Sequence, residues 1–237
     1  MTSAEEEARE KLAQCARALA RIDCLGLGGH VSLRIPKSDL ILITPGGGLD
    51  KTRLRAGDMS VMDATGKHVG GPYPPPLEWP IHTAVHAARP ELDSVAHLHP
   101  HWSTIFGVLD RPMDAVLLGA ARLGDRIPWF EVPKLVTSPA LGEELRAALA
   151  DAPAVLMRWH GSTVVGDTIE EMFERARVIE DNARLLWEAS LIGKVVPVPR
   201  SIGGPQVRGA SRTLGYYANL ERPTDDQQWI GTERLEP

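Results

Sequence analysis

The segment Leu92-Asp93-Ser94-Val95-Ala96-His97-Leu98-His99-Pro100 reads as a buried central strand, and more than any other part of the chain it dictates what can be built around it. Val95, His97 and His99 alternate with Ser94, Ala96 and Leu98, so both imidazoles leave one face of a sheet, side by side. Neutral imidazoles so placed suit zinc, manganese, iron or cobalt. Alone the pair is a weak sign, because histidines two apart occur in many proteins that bind no metal.

Two distant stretches strengthen it. Pro74-Pro75-Pro76-Leu77-Glu78-Trp79-Pro80 places a carboxylate where a proline-rich loop enters a helix. Val155-Leu156-Met157-Arg158-Trp159-His160-Gly161 is a short apolar strand ending in a histidine, with glycine letting the backbone turn away. Three histidines and one carboxylate can surround a single ion and leave room for substrate, as a catalytic metal site must.

Composition narrows the class of partner. The chain has 237 residues, enough for one domain with a full core, and its net charge of −5 gives no electrostatic reason to expect nucleic acid. The opening Thr2-Ser3-Ala4-Glu5-Glu6-Glu7 has neither the basic start nor the apolar run of a secretory signal, and no apolar stretch approaches membrane-spanning length. The expectation is a cytoplasmic protein, away from membranes, with a small-molecule partner. Cys15 and Cys24 are the only cysteines, which excludes a disulfide framework.

Ala8, Leu12, Cys15 and Leu19 recur at helical spacing and predict an amphipathic helix over residues 4–21. Strands are expected at 31–35 and 40–44, and a hairpin over 59–69. Between them Pro45-Gly46-Gly47-Gly48 exposes backbone N–H groups suited to an anion, and reads equally well as a flexible turn. Helices are expected over 79–88, from 102 to about 109, over 140–150, and from a Thr168/Glu171 capping box to about 191, with strands at 95–99, 154–159 and 161–166. Residues 1–196 then form one domain, a layered α/β sandwich on a mixed sheet, and 197–237 a tail, mobile or packed on a neighbouring subunit.

Together these pieces resemble the class II aldolase and adducin-head family over roughly residues 8–192. The resemblance is carried by Gly29-His30-Val31-Ser32-Leu33-Arg34, Ile43-Thr44-Pro45-Gly46-Gly47, Asp58 with Asp63 and Gly66, Glu78 with His82, Arg89-Pro90, His97-Leu98-His99, and His160-Gly161 with Gly166. Nineteen positions separate Glu78 from His97, and sixty-one separate His99 from His160, as in the family. It implies a three-layer α/β/α sandwich around a mixed, largely antiparallel sheet, commonly a homotetramer with active sites between subunits. It also implies one divalent ion per subunit (Zn, Mn, Fe or Co) on His97, His99 and His160, with Glu78 as the acid or base beside it and sometimes a ligand.

The departures from the family's sugar-phosphate aldolases bear on the reaction. Where those have Gly-Asn, Thr-Pro-Ser-Gly and Ser-Ser, this chain has Gly29-His30, Thr44-Pro45-Gly46-Gly47 and Pro76-Leu77, so the side chains that cradle phosphate are gone. No tyrosine lies between Tyr73 and Tyr216 to supply the aldolases' acid. The expected reaction is decarboxylation of a hydroxylated aromatic or pyridine dicarboxylate, with dihydroxyphthalate the first candidate. The alternatives are aldol cleavage of a non-phosphorylated hydroxy acid and, without catalysis, an adducin-like binding module. The apolar neighbours of Glu78 are expected to raise its pKa, and His30 to grip a carboxylate when protonated or to act as a second acid. Pro74 to Leu77 with Trp79 are expected to wall the site. Ser32, Gly46 and Gly47 are the candidate substrate contacts, and the resemblance implies a C-terminal tyrosine, Tyr217 or in its place Tyr216, reaching in from a neighbouring subunit. His82, His86 and His101 are expected to pack near the site, while Lys51 and Arg158 have no assigned role.

Overall fold

The computed structural model describes residues 3–124, 126–199 and 210–221. Eight strands form one sheet: β1 (His30–Arg34), β2 (Ile41–Ile43), β3 (Ser60–Met62), β4 (His68–Gly70), β5 (Ser94–Leu98), β6 (Trp129–Phe130), β7 (Ala154–Met157) and β8 (Gly161–Gly166). Their order is β4-β3-β2-β1-β5-β8-β7-β6. All neighbours pair antiparallel except β6 with β7, so the expected mixed, largely antiparallel sheet is what forms.

The alternation along β5 sorts the helices into two layers. Val95, with Val155 and Val165 of the strands beyond it, packs under α2 (Trp79–Ala88) and α4 (Pro139–Leu149) through Ile81, Val85, Leu145 and Leu149. Ala96 and Leu98 point the other way, into the larger core beneath α1 (Ser3–Arg21), α3 (His101–Val108) and α5 (Ile169–Ile192). This is the three-layer α/β/α sandwich. Ala8, Leu12, Cys15 and Leu19 of α1 are all buried, and both cysteines are free. The Thr168 hydroxyl accepts from the Glu171 amide at 3.1 Å and starts α5 where the capping pattern put it.

The stretch read as a tail holds a helix of its own. In α6 (Ala210–Asn219), Leu214 and Ala218 are buried, and the helix packs on α5 and α1 of the same chain. The spacing of Leu214, Tyr217 and Ala218 was the available signal. Residues 200–209 and 222–237 of that stretch lie outside the described residues. Among the described residues no helix is long and apolar enough to cross a membrane.

Candidate metal centre

β1 and β5 pair so that His30 stands directly opposite His97, and β5 pairs with β8 so that Leu98 meets Ser162. These registers put His30, His97, His99 and, just before β8, His160 at one end of the central strands. Glu78 arrives from the other direction, at the N-terminus of α2, where Pro80 fits the first turn because its missing N–H has no partner there to lose. Two glycines make the approach possible. A Cβ on Gly161 would sit 2.1 Å from the Leu98 carbonyl oxygen, and one on Gly28 would sit 2.4 Å from the His99 ring.

His97, His99, His160 and Glu78 converge as the sequence anticipated, with one donor atom from each lying within 4.8 Å of the others. Nε2 of His97 is 2.9 Å from Nε2 of His99 and 3.4 Å from Oε2 of Glu78, which is 3.6 Å from Nε2 of His160. Four donors around an ion with bonds of ~2.0–2.1 Å stand ~3.3 Å apart, so this set fits a divalent metal of the zinc class. Nδ1 of His97 meets the Ser162 carbonyl oxygen at 3.2 Å, which fixes the ring with Nε2 facing the cluster.

The protonation states suit ligation. Burial, helped by the neighbouring rings, brings His99 down to about 4 and also lowers His160, so both are neutral imidazoles at pH 7. For Glu78 the expectation of a raised pKa is wrong. Burial does push it up, but the hydrogen bond and charge of His97, the Val136 amide and the charge of His160 outweigh burial and bring it to about 2. Its apolar sequence neighbours are not what its carboxylate faces. Oε1 accepts from the Val136 amide at 2.8 Å, leaving Oε2 to the histidines.

His30 does not carry the charge expected of an anion grip. It is 2 % exposed, and burial with the charges of His82 and His97 holds it well below the ordinary imidazole range, so it is neutral and does not grip an anion as a cation. Its Nδ1 lies 2.7 Å from Nε2 of His82, His82 Nδ1 lies 2.7 Å from Ser32 Oγ, and Ser32 Oγ lies 2.9 Å from Nε2 of His86. This buried file runs from β1 into α2 and fixes the plane of the His30 ring. Ser32, expected to contact substrate, is fully buried within it.

A pocket of ≈ 270 Å³ opens on the cluster, near the lower end of the usual range for ligand sites. It is lined by His30, Lys51, Glu78, His99 and His160 among polar side chains, by Leu27, Pro45, Pro76, Leu77 and Leu135, and by Gly28, Gly46 and Gly47. Gly46 spends its amide on the Pro74 carbonyl at 3.1 Å, whereas Gly47 has nothing within 4 Å of where a Cβ would be. Of the expected proline-rich wall only Pro76 and Leu77 line the pocket, and Trp79 packs instead on Ile41, Ile43 and Met62. Tyr217 is not brought to the site of its own chain, since its ring lies 5.4 Å from that of Phe173. His101 is exposed beside Trp102. Arg158 pairs with Glu131 at 2.8 Å and covers the Trp129 ring at 4.4 Å, bracing the turn that carries His160.

Residues 10–187 match the family model described as the class II aldolase and adducin N-terminal domain. The chain is 33% identical over 192 residues to a 3,4-dihydroxyphthalate decarboxylase of Terrabacter sp., covering 76% of this chain and 79% of that one. It is 29% identical over 198 residues to a 5-methylthioribulose-1-phosphate/5-deoxyribulose-1-phosphate aldolase of Rhodospirillum rubrum, covering 84% and 87%. Among solved structures, an aldolase II superfamily protein from Pseudomonas syringae superposes with a TM-score of 0.81 at 22% identity, over 92% of each chain.

Proposed function

The chain belongs to the class II aldolase and adducin N-terminal domain family, and from that premise we propose that it is a divalent-metal-dependent decarboxylase of a hydroxylated aromatic dicarboxylate, with a dihydroxyphthalate as first substrate. One observation carries the choice of reaction. Among the described residues lining the pocket there is no serine, threonine, asparagine or glutamine, so a sugar phosphate would find few partners for its hydroxyls and phosphoryl oxygens. The apolar lining from Leu27, Pro45, Pro76, Leu77 and Leu135 suits the faces of a planar ring. A relative that is a 3,4-dihydroxyphthalate decarboxylase supports the same choice.

His97, His99 and His160 would hold the ion, with Glu78 Oε2 beside them as the free base, and the ion would supply Lewis-acid chemistry as the carbon–carbon bond breaks. The chain's own residues handle the proton. Glu78, anionic at neutral pH, takes the proton of a substrate hydroxyl on Oε2. The scissile bond leaves its electron pair on the ring carbon as carbon dioxide departs. Glu78 then returns its proton to that carbon, and solvent restores the hydroxyl. His30, held by His82, borders the reacting region as a neutral ring that accepts or donates one hydrogen bond without adding charge.

The same reading makes the protein a homotetramer. Leu27, Leu77 and Leu135 at the pocket are 77%, 78% and 56% exposed in the single chain, a rim that a second copy would cover. The testing experiment is release of labelled carbon dioxide from dihydroxyphthalates and hydroxypyridine dicarboxylates with added divalent metal. No release across the panel removes the proposal. The alternative, aldol cleavage of a non-phosphorylated hydroxy acid, shares only its reaction class with the sugar-phosphate aldolase among the relatives and would instead yield pyruvate or an aldehyde.

A further inference from the structure

Lys51 sits in the short helical turn Lys51–Arg53 that follows the glycine loop, and it is 8% exposed. Lysine is seldom buried this far without a paired anion, since its ammonium gives up water and gets nothing of opposite sign in return. Among the described residues no carboxylate pairs with it, and Nζ donates only to the Gly29 carbonyl. It is the pocket's one lysine or arginine among those residues. It shares the chamber with Glu78, His99 and His160, and its charge is felt by both His30 and His99.

We infer that Lys51 is the anchor for a substrate carboxylate that the reaction leaves in place, and so makes the pocket selective for a dicarboxylic over a monocarboxylic acid. The inference rests on the pocket being one for a hydroxylated aromatic acid. A divalent ion on the histidines, the Glu78 carboxylate and the Lys51 ammonium leave the pocket with a surplus of positive charge that a dianion cancels. Burial alone lowers Lys51 to about 8, so it still carries its charge at neutral pH. Two of its three N–H groups remain for an incoming oxygen after the bond to Gly29. In the lining of the same pocket, Gly47 has open space where a side chain would stand, so a planar carboxylate can come close to backbone. A phosphoryl group would answer the same ammonium, and the experiment separates the two.

The test is calorimetric binding to the metal-loaded full chain of three probes that cannot react: phthalate, catechol and inorganic phosphate. Wild type, Lys51→Met and Lys51→Arg are compared, with Lys51→Gln in place of the first should it not fold. Phthalate affinity should fall about ten- to a hundredfold in Lys51→Met and recover in part in Lys51→Arg, with catechol unchanged. Equal losses for phthalate and catechol would mean that Lys51 only braces Gly29, and would overturn the inference. So would phthalate binding that is absent from the wild type or untouched by the substitution, or phosphate binding tighter than phthalate. Because phthalate is inert, Lys51-dependent binding without carbon dioxide release from any acid would sink the decarboxylase reading alone. Release by Lys51→Met at an unchanged KM would sink the anchor alone.

Discussion

Oε2 of Glu78 lies 3.4 Å from Nε2 of His97, while its Oε1 is tied to the Val136 amide at 2.8 Å. The tether divides the carboxylate's work between holding position and meeting the cluster. Glu78→Gln keeps the oxygen that Val136 needs and removes the basic one. Its kcat for carbon dioxide release should fall by ~10²–10⁴ while the three imidazoles still retain metal. Steady-state kinetics beside metal analysis checks this, and a variant with near wild-type kcat would remove Glu78 from the proton path.

Ser32 holds His82 and His86 together through one hydroxyl. Ser32→Ala leaves two buried ring nitrogens without that partner, which should cost ~1–3 kcal/mol. Thermal unfolding reads the loss. A fall in kcat at unchanged metal content would show that the file also orients His30 for the reaction.

The convergence of the candidate ligands was legible because strand alternation fixes which way His97 and His99 point, and because Glu78 and His160 each mark the end of a recognisable element. The file from His30 to His86 was not, since it exists only once α2 lies across β1, and nothing local in either segment says so. The Glu78 error has the same origin. Its neighbours Pro76, Leu77 and Trp79 suggest an apolar surrounding, yet the groups that set its charge are His97, Val136 and His160, all distant in sequence. Lys51 stood in plain view without a role, because only the fold buries its ammonium beside the histidines. In α6 the signal was present at helical spacing, but the glycines and prolines around it outweighed it.

Acid should unfold the metal-free protein in a defined window. Burial, aided by neighbouring positive charge, lowers His30 and His82 well below the ordinary range and His86 to about 3. A ring whose pKa drops on folding binds fewer protons folded than unfolded, so the stability it contributes is whole above ~6.5 and is lost as pH falls from there. For His86 that loss extends to about 3. The Tm should therefore hold from pH ~7 to ~8 and decline steadily below ~6.5. A Tm unchanged down to pH ~4 would contradict the buried neutral file.

The most direct measurement is cobalt(II) titration of the apoprotein, read by visible absorption, for wild type and for His97→Ala, His99→Ala and His160→Ala. The structure predicts one ion per chain with a nitrogen-rich, four- or five-coordinate spectrum, and a loss of affinity of at least about a hundredfold in each variant. A wild-type protein that takes up no cobalt, or a spectrum and affinity unchanged in all three variants, would contradict it.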